Sequence, residues 1–116
     1  MENKDRDLFR LEHILECAEK IEILTTQLGS FDNFAERWVE QDAMTRNFEI
    51  IGEASKNISE YTTQKYPEIE WFKIKGMRNL IAHEYFGIKL ETIWETAINN
   101  IPVLKSQVQE IISDFK

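Results

Sequence analysis

The sequence predicts an all-α fold: an antiparallel four-helix bundle with a kinked last helix and an extra short helical segment. Three observations carry this prediction. Apolar residues recur at spacings of three and four along most of the chain, no segment sustains period-two alternation, and only four glycines and two prolines punctuate 116 residues. Four long amphipathic stretches joined by short connections pack most simply as antiparallel neighbours. The length suits one domain over residues 1–116, with a single core.

In the first stretch Leu8, Leu11, Leu15, Ala18, Ile21, Leu24 and Leu28 line one helical face, and Gly29-Ser30 ends it. Asp32 is the expected N-cap of a short helical piece running through Phe34 and Trp38. Met44, Phe48, Ile51, Ser55 and Ile58 form the second main stripe, which runs to about Tyr61. Thr62-Thr63 interrupt it, and Pro67 is placed to open the third helix as a first-turn residue. That helix turns Ile74, Met77 and Ile81 inward and is expected to stop near Gly87. Leu90, Trp94, Ala97, Ile101, Leu104, Val108, Ile111 and Phe115 mark the last helix. Their phase continues across Pro102, which predicts one kinked helix rather than two.

Composition narrows the function classes. With 42% hydrophobic and 30% charged residues the chain is too apolar for disorder and too polar for a membrane protein, and its charged N-terminus does not read as a signal peptide. A cytoplasmic location is the default expectation. Cys17 is the single cysteine, which excludes an internal disulfide. A net charge of −7 argues against a broad phosphate-binding surface, because such affinity comes mainly from Lys and Arg. Any RNA contact must be local. The window Trp71 to His83 holds Lys73, Lys75 and Arg78 and no Asp or Glu, although acids outnumber bases by 21 to 14 overall.

The chemistry-bearing group is Arg78, Asn79, His83 and Tyr85. On a regular helix Asn79 and His83 are adjacent and point away from the Ile74, Met77, Ile81 stripe. Arg78 and His83, however, would lie about 140° apart around the axis. Either the backbone departs from a regular helix near His83, or an identical helix from a second copy completes the site; the second is favoured. An imidazole that titrates near neutrality can take the proton of an RNA 2′-hydroxyl or protonate the leaving 5′-oxygen. A guanidinium grips the phosphate and offsets its developing charge. Asn79 can orient His83. No metal or cofactor is needed for such cleavage, and DNA would be spared.

Arg78-Asn-Leu-Ile-Ala-His83-Glu-Tyr85 has the form Arg, four residues, His, one residue, Tyr, and it resembles the signature of the HEPN superfamily. Asn47-Phe-Glu-Ile-Ile-Gly-Glu-Ala54, Tyr66-Pro-Glu-Ile-Glu-Trp71 and Gly76-Met-Arg-Asn79 continuing into His83-Glu-Tyr-Phe-Gly87 are similar to its HepT-like branch. The resemblance spans roughly Arg10 to Ile112. It implies a HEPN-like bundle and a metal-independent toxin ribonuclease acting as a homodimer with a composite site. Arg78 and His83 match the family's catalytic pair, and Asn79 its supporting residue. The implied partner is a minimal nucleotidyltransferase antitoxin that transfers AMP to Tyr85 and so silences the cleft by bulk and charge. The competing readings are a noncatalytic helical adaptor for such a nucleotidyltransferase, or a nucleotide-binding partner of one.

Four further residues are candidate cleft or RNA contacts: Lys73, Lys75, Arg46 and Glu53. The last two belong to a polar helix face with Glu49, Lys56 and Glu60, for which pairing within the helix is the plainer reading. Gly52 costs about 1 kcal/mol relative to Ala inside a helix, so it predicts a close helix approach. Neither histidine has a Glu three residues before it, which removes a Glu-x-x-His metal bundle, and His13 reads as a surface residue. Trp38, Trp71 and Trp94 read as core or interface anchors, with base stacking left open for Trp71.

Overall fold

The predicted face of Leu11, Ala18 and Ile21, joined by Ile14 and Cys17, is the buried side of α1 (Asn3–Leu28). The computed structural model describes residues 3–82 and 90–116, with side chains for 4–78 and 90–116. Among these residues there are seven helices and no strand, the other six being α2 (Phe31–Ala35), α3 (Trp38–Lys56), α4 (Glu60–Lys65), α5 (Trp71–Ala82), α6 (Leu90–Asn99) and α7 (Ile101–Phe115). The predicted all-α bundle is thus the observed architecture, and its last helix, α6–α7, is interrupted.

Gly29, at φ +78°, ends α1 in the left-handed conformation that a residue without a Cβ adopts freely. Asn33 then donates its side-chain amide to Leu28 O at 2.7 Å, occupying a carbonyl that the helix itself leaves open. The N-cap of α2 is Ser30, whose hydroxyl accepts from Asn33 N, and not Asp32, which sits inside the first turn. Ser30 adopts the extended backbone of a cap, which corrects the prediction. The short helix ends at Ala35, and Trp38 opens α3 instead.

Packing follows burial. Phe48 and Ile51 of α3, Ile74 and Met77 of α5, Ile93 of α6 and Val108 of α7 join the α1 face in one continuous core. Asp7, near the start of α1, meets Ser59 just beyond the end of α3, so these two helices run antiparallel. Lys4 lies by Phe115 and Glu22 by Lys105, which makes α1 and α7 antiparallel as well.

Three further boundaries differ from the prediction. α3 stops at Lys56 rather than near Tyr61, and the residues beyond form a second short helix, α4. Asp7 is the cause: its buried carboxylate accepts from Ser59 N at 3.0 Å and from the Ser59 and Thr62 hydroxyls, an organisation no local pattern announces. Pro67 opens no helix; it follows Tyr66 in the turn closed by Ile69 N on Tyr66 O, the turn position its fixed φ suits. The kink at Pro102 takes the form of a one-residue break at Asn100, which keeps a right-handed helical backbone (φ −100°, ψ −34°). The ladder continues through Asn100 N to Thr96 O and Leu104 N to Asn100 O, stepping around the proline that has no N–H to give.

Candidate functional site

The candidate residues centre on α5, and the tertiary structure anchors the start of that helix. Trp71 Nε1 donates to Tyr66 O at 3.1 Å, and the Tyr66 hydroxyl donates to Asp114 Oδ2 at 2.8 Å, tying the turn before α5 to the end of α7. Burial, helped by that acceptor, pushes the Tyr66 pKa up to about 12. With Trp71, Ile74 and Met77 turned into the core, Phe72, Lys73, Lys75 and Arg78 are left exposed.

Arg78 faces α3 at a close approach of the two helices. A Cβ added to Gly52 would stand 2.7 Å from both Arg78 Cβ and Arg78 N, so only glycine fits there, as its place inside a helix predicts. One residue on, Glu53 Oε1 approaches Arg78 Nε at 2.7 Å, with the two side chains 44% and 51% exposed. The carboxylate meets the guanidinium on its stem side, and the Nη1–Nη2 edge lies on the far side of that planar group. The stem is wedged against the α3 backbone while the head stays half in water.

Glu53 also lines an open groove of ≈ 440 Å³ between α1 and α3, together with Phe9, His13, Arg46, Glu49 and Ile50. Arg46 and Glu53, both predicted cleft residues, therefore share one groove. Their pairings differ: Arg46 pairs with Glu49 along its own helix, as the polar-face reading predicts, whereas Glu53 crosses to α5. His13 is exposed, as expected, and its ring lies 5.9 Å from that of Phe9.

The other predicted residues separate. Lys73 pairs with Glu70 at 2.9 Å and borders a different hollow, between α5 and the start of α7, so α5 itself divides it from Arg78. Lys75 is exposed one turn before Arg78. Asn79 stands on α5, but its side chain, that of Ile81, the whole of His83 and Tyr85 and the expected stop near Gly87 lie outside the described residues. Trp71 is buried and Trp94 packs on Phe34 with ring centroids 5.4 Å apart, whereas Trp38 is an exposed residue and no core anchor. Burial with its indole N–H satisfied removes Trp71 as a stacking surface. Its neighbour Phe72, 90% exposed, is the aromatic residue that the sequence reading passed over. The helical phase carried the clue, since position 72 lies opposite Ile74 and Met77. Among the described residues no three His, Cys, Asp or Glu side chains gather as a metal site.

A protein of Caldanaerobacter subterraneus subsp. tengcongensis, named as a candidate RNase, is 43% identical over 107 residues, covering 91% of this chain and 94% of its own. One from Methanocaldococcus jannaschii, also named as a candidate RNase, is 38% identical over 116 residues, covering 100% and 94%. A candidate ribonuclease HepT from Thermococcus cleftensis is 39% identical over 101 residues, covering 87% and 91%. No solved structure matches significantly. Residues 14–111 match the family described as Ribonuclease HepT-like. A match over most of the chain, with relatives this similar along nearly their whole lengths, makes the chain a member of the HepT-like ribonuclease family.

Proposed function

We propose that residues 1–116 act as one domain, a metal-independent RNA endonuclease that is the toxin of a toxin–antitoxin pair in the cytoplasm. The observation that supports this best is the seating of Arg78: its stem is fixed over Gly52, its guanidinium is half exposed, and the stretch around it is free of acids in an otherwise acidic chain. That is the disposition a phosphate clamp requires.

In this reading the phosphate of a single-stranded RNA lies on the Nη1–Nη2 edge of Arg78. The His83 imidazole takes the proton of the adjacent 2′-hydroxyl, whose oxygen attacks phosphorus. The P–O5′ bond breaks as the new O2′–P bond forms, and the leaving 5′-oxygen receives a proton, which a second imidazole can supply. The products are a 2′,3′-cyclic phosphate and a 5′-hydroxyl. Asn79 orients His83, while Arg78 stabilises the charge on the non-bridging oxygens. The site is completed in a homodimer, because a regular helix continued to residue 83 would splay Arg78 and His83. AMP transfer from ATP to the Tyr85 hydroxyl by a nucleotidyltransferase antitoxin, with release of pyrophosphate, places a phosphate against Arg78 and stops cleavage.

The test is cleavage of single-stranded RNA by the purified chain in excess EDTA. Arg78→Ala and His83→Ala should each reduce the rate by at least about 100-fold, the scale of losing a positioned acid–base or charge-stabilising group, while the circular dichroism spectrum stays unchanged. An equimolar mixture of the two variants should recover part of the activity, since a mixed dimer has one intact composite site. Cleavage abolished by EDTA, or retained in His83→Ala, would reject the mechanism. A Tyr85-dependent interaction with a nucleotidyltransferase in the absence of any cleavage would identify an adaptor instead.

A further inference from the structure

We propose that Phe72, with Lys75 beside it, forms a nucleobase-stacking subsite on α5 for single-stranded RNA whose phosphate is held by Arg78. The inference rests on the ribonuclease reading above and extends it to a residue that no feature of the motif includes.

Phe72, Lys75 and Arg78 follow one another at intervals of three, so each side chain neighbours the next on the helix surface. This ridge winds from the outward face of α5, where Phe72 stands 90% exposed, to the α3 side, where Arg78 meets Glu53. At about 1.5 Å per residue the ring and the guanidinium are roughly 9 Å apart along the axis, within reach of neighbouring parts of one strand. Binding of a single strand combines cationic groups along its backbone with an aromatic face for a base, and this ridge carries both. Gly76, one turn beyond Phe72, leaves the helix open, since a Cβ there would have nothing within 4 Å. A base lying on the ring would find that step unobstructed.

Charge selects the occupant. Lys75 and Arg78 bring positive charge to this ridge in a segment with no Asp or Glu between Trp71 and His83, and Arg78 keeps its head half exposed beside Glu53. A polyanion meets the same surface with complementary charge. Another exposed aromatic and apolar pair, Trp38 and Val39 at the start of α3, lies beside Arg37 and Glu40, which pair with each other, so nothing there favours an anion.

The experiment titrates the protein against a single-stranded 2′-O-methyl oligoribonucleotide carrying a fluorescent base analogue. The methylated 2′-oxygen blocks transesterification, so binding is read apart from cleavage. Phe72→Ala should weaken binding about tenfold and abolish the quenching of the base analogue, as expected for loss of one stacked base. Phe72→Tyr should retain both, and Phe72→Leu should behave like the alanine variant. Lys75→Ala should lower the salt dependence by roughly one phosphate contact. Wild-type affinity in Phe72→Ala, full rescue by Phe72→Leu, no binding by the unmutated protein, or a change of oligomeric state in Phe72→Ala would each overturn the subsite. Failure of the nuclease reading appears differently, as Phe72-dependent binding of the methylated strand without cleavage of the unmodified one. Phe72→Ala with unchanged kcat/KM on cleavable RNA removes the subsite and leaves the nuclease.

Discussion

Gly52 decides how close Arg78 can stand to α3, and two opposed effects compete at that residue. Alanine inside a helix is normally favoured over glycine by about 1 kcal/mol. Here its Cβ would meet Arg78 Cβ and N at 2.7 Å, and the latter is backbone that cannot rotate aside. Overpacking of this kind typically costs about 1–3 kcal/mol, so the clash outweighs the propensity gain. Gly52→Ala should therefore lower the denaturation midpoint and, by displacing the guanidinium, reduce RNA cleavage as well. Equilibrium unfolding beside a cleavage assay checks both. Glu53→Gln separates the two readouts, because a half-exposed ion pair contributes less than about 1 kcal/mol to stability. Its unfolding midpoint should barely move while cleavage falls several-fold, since the carboxylate orients the arginine proposed to hold the phosphate.

At the scale of elements, the connection from α3 to α5 depends on a residue far away in sequence. Asp7 receives the Ser59 N–H and two hydroxyls in a buried position, so it organises the start of α4 from the first turns of α1. Removing the acceptor leaves those donors unpaired, at about 1–3 kcal/mol for a buried polar group. Asp7→Ala should destabilise the protein by that order, and the α4 amides should lose protection in hydrogen exchange before those of α1. Equal loss of protection in both helices would show that Asp7 does no more than support the global fold. The same connection contains Pro67, which shapes the turn that delivers Trp71 to the core and thereby sets the rotational phase of α5.

For the molecule as a whole, the bundle is closed by a contact between the turn before α5 and the end of α7. Tyr66 is buried, its hydroxyl donates to Asp114, and its pKa stands at about 12 against an ordinary value of 10. A folded-state pKa above the unfolded one means that the folded protein holds this proton more tightly. The stabilisation is therefore complete below pH 10 and is lost as pH rises from 10 through 12. Comparing the unfolding free energies of the native chain and Tyr66→Phe at pH 9 and pH 11.5 checks this. The native chain should show a loss on the order of 2 kcal/mol that the phenylalanine variant lacks. An identical pH response in the two proteins would mean that the hydroxyl contributes nothing to closure.

The sequence by itself determined the all-α architecture, most of the buried face of α1, α3 and α7, and the family. Periodicity at 3.6 residues and a contiguous motif are local properties that one strand of text records in full. It also showed that Gly52 marks a close approach, because a glycine inside a strong helix needs a packing reason. Tertiary structure alone decided that the approaching residue is Arg78, that Glu53 crosses to it while Arg46 stays with Glu49, and that Lys73 falls on another side. It likewise closed the stacking option left open for Trp71 by burying it as a core anchor, and recruited Asp7 as a buried acceptor. Such outcomes depend on which helix lies beside which, and at what depth. Contacts between residues 25 or 52 positions apart leave no periodic trace in the chain that makes them.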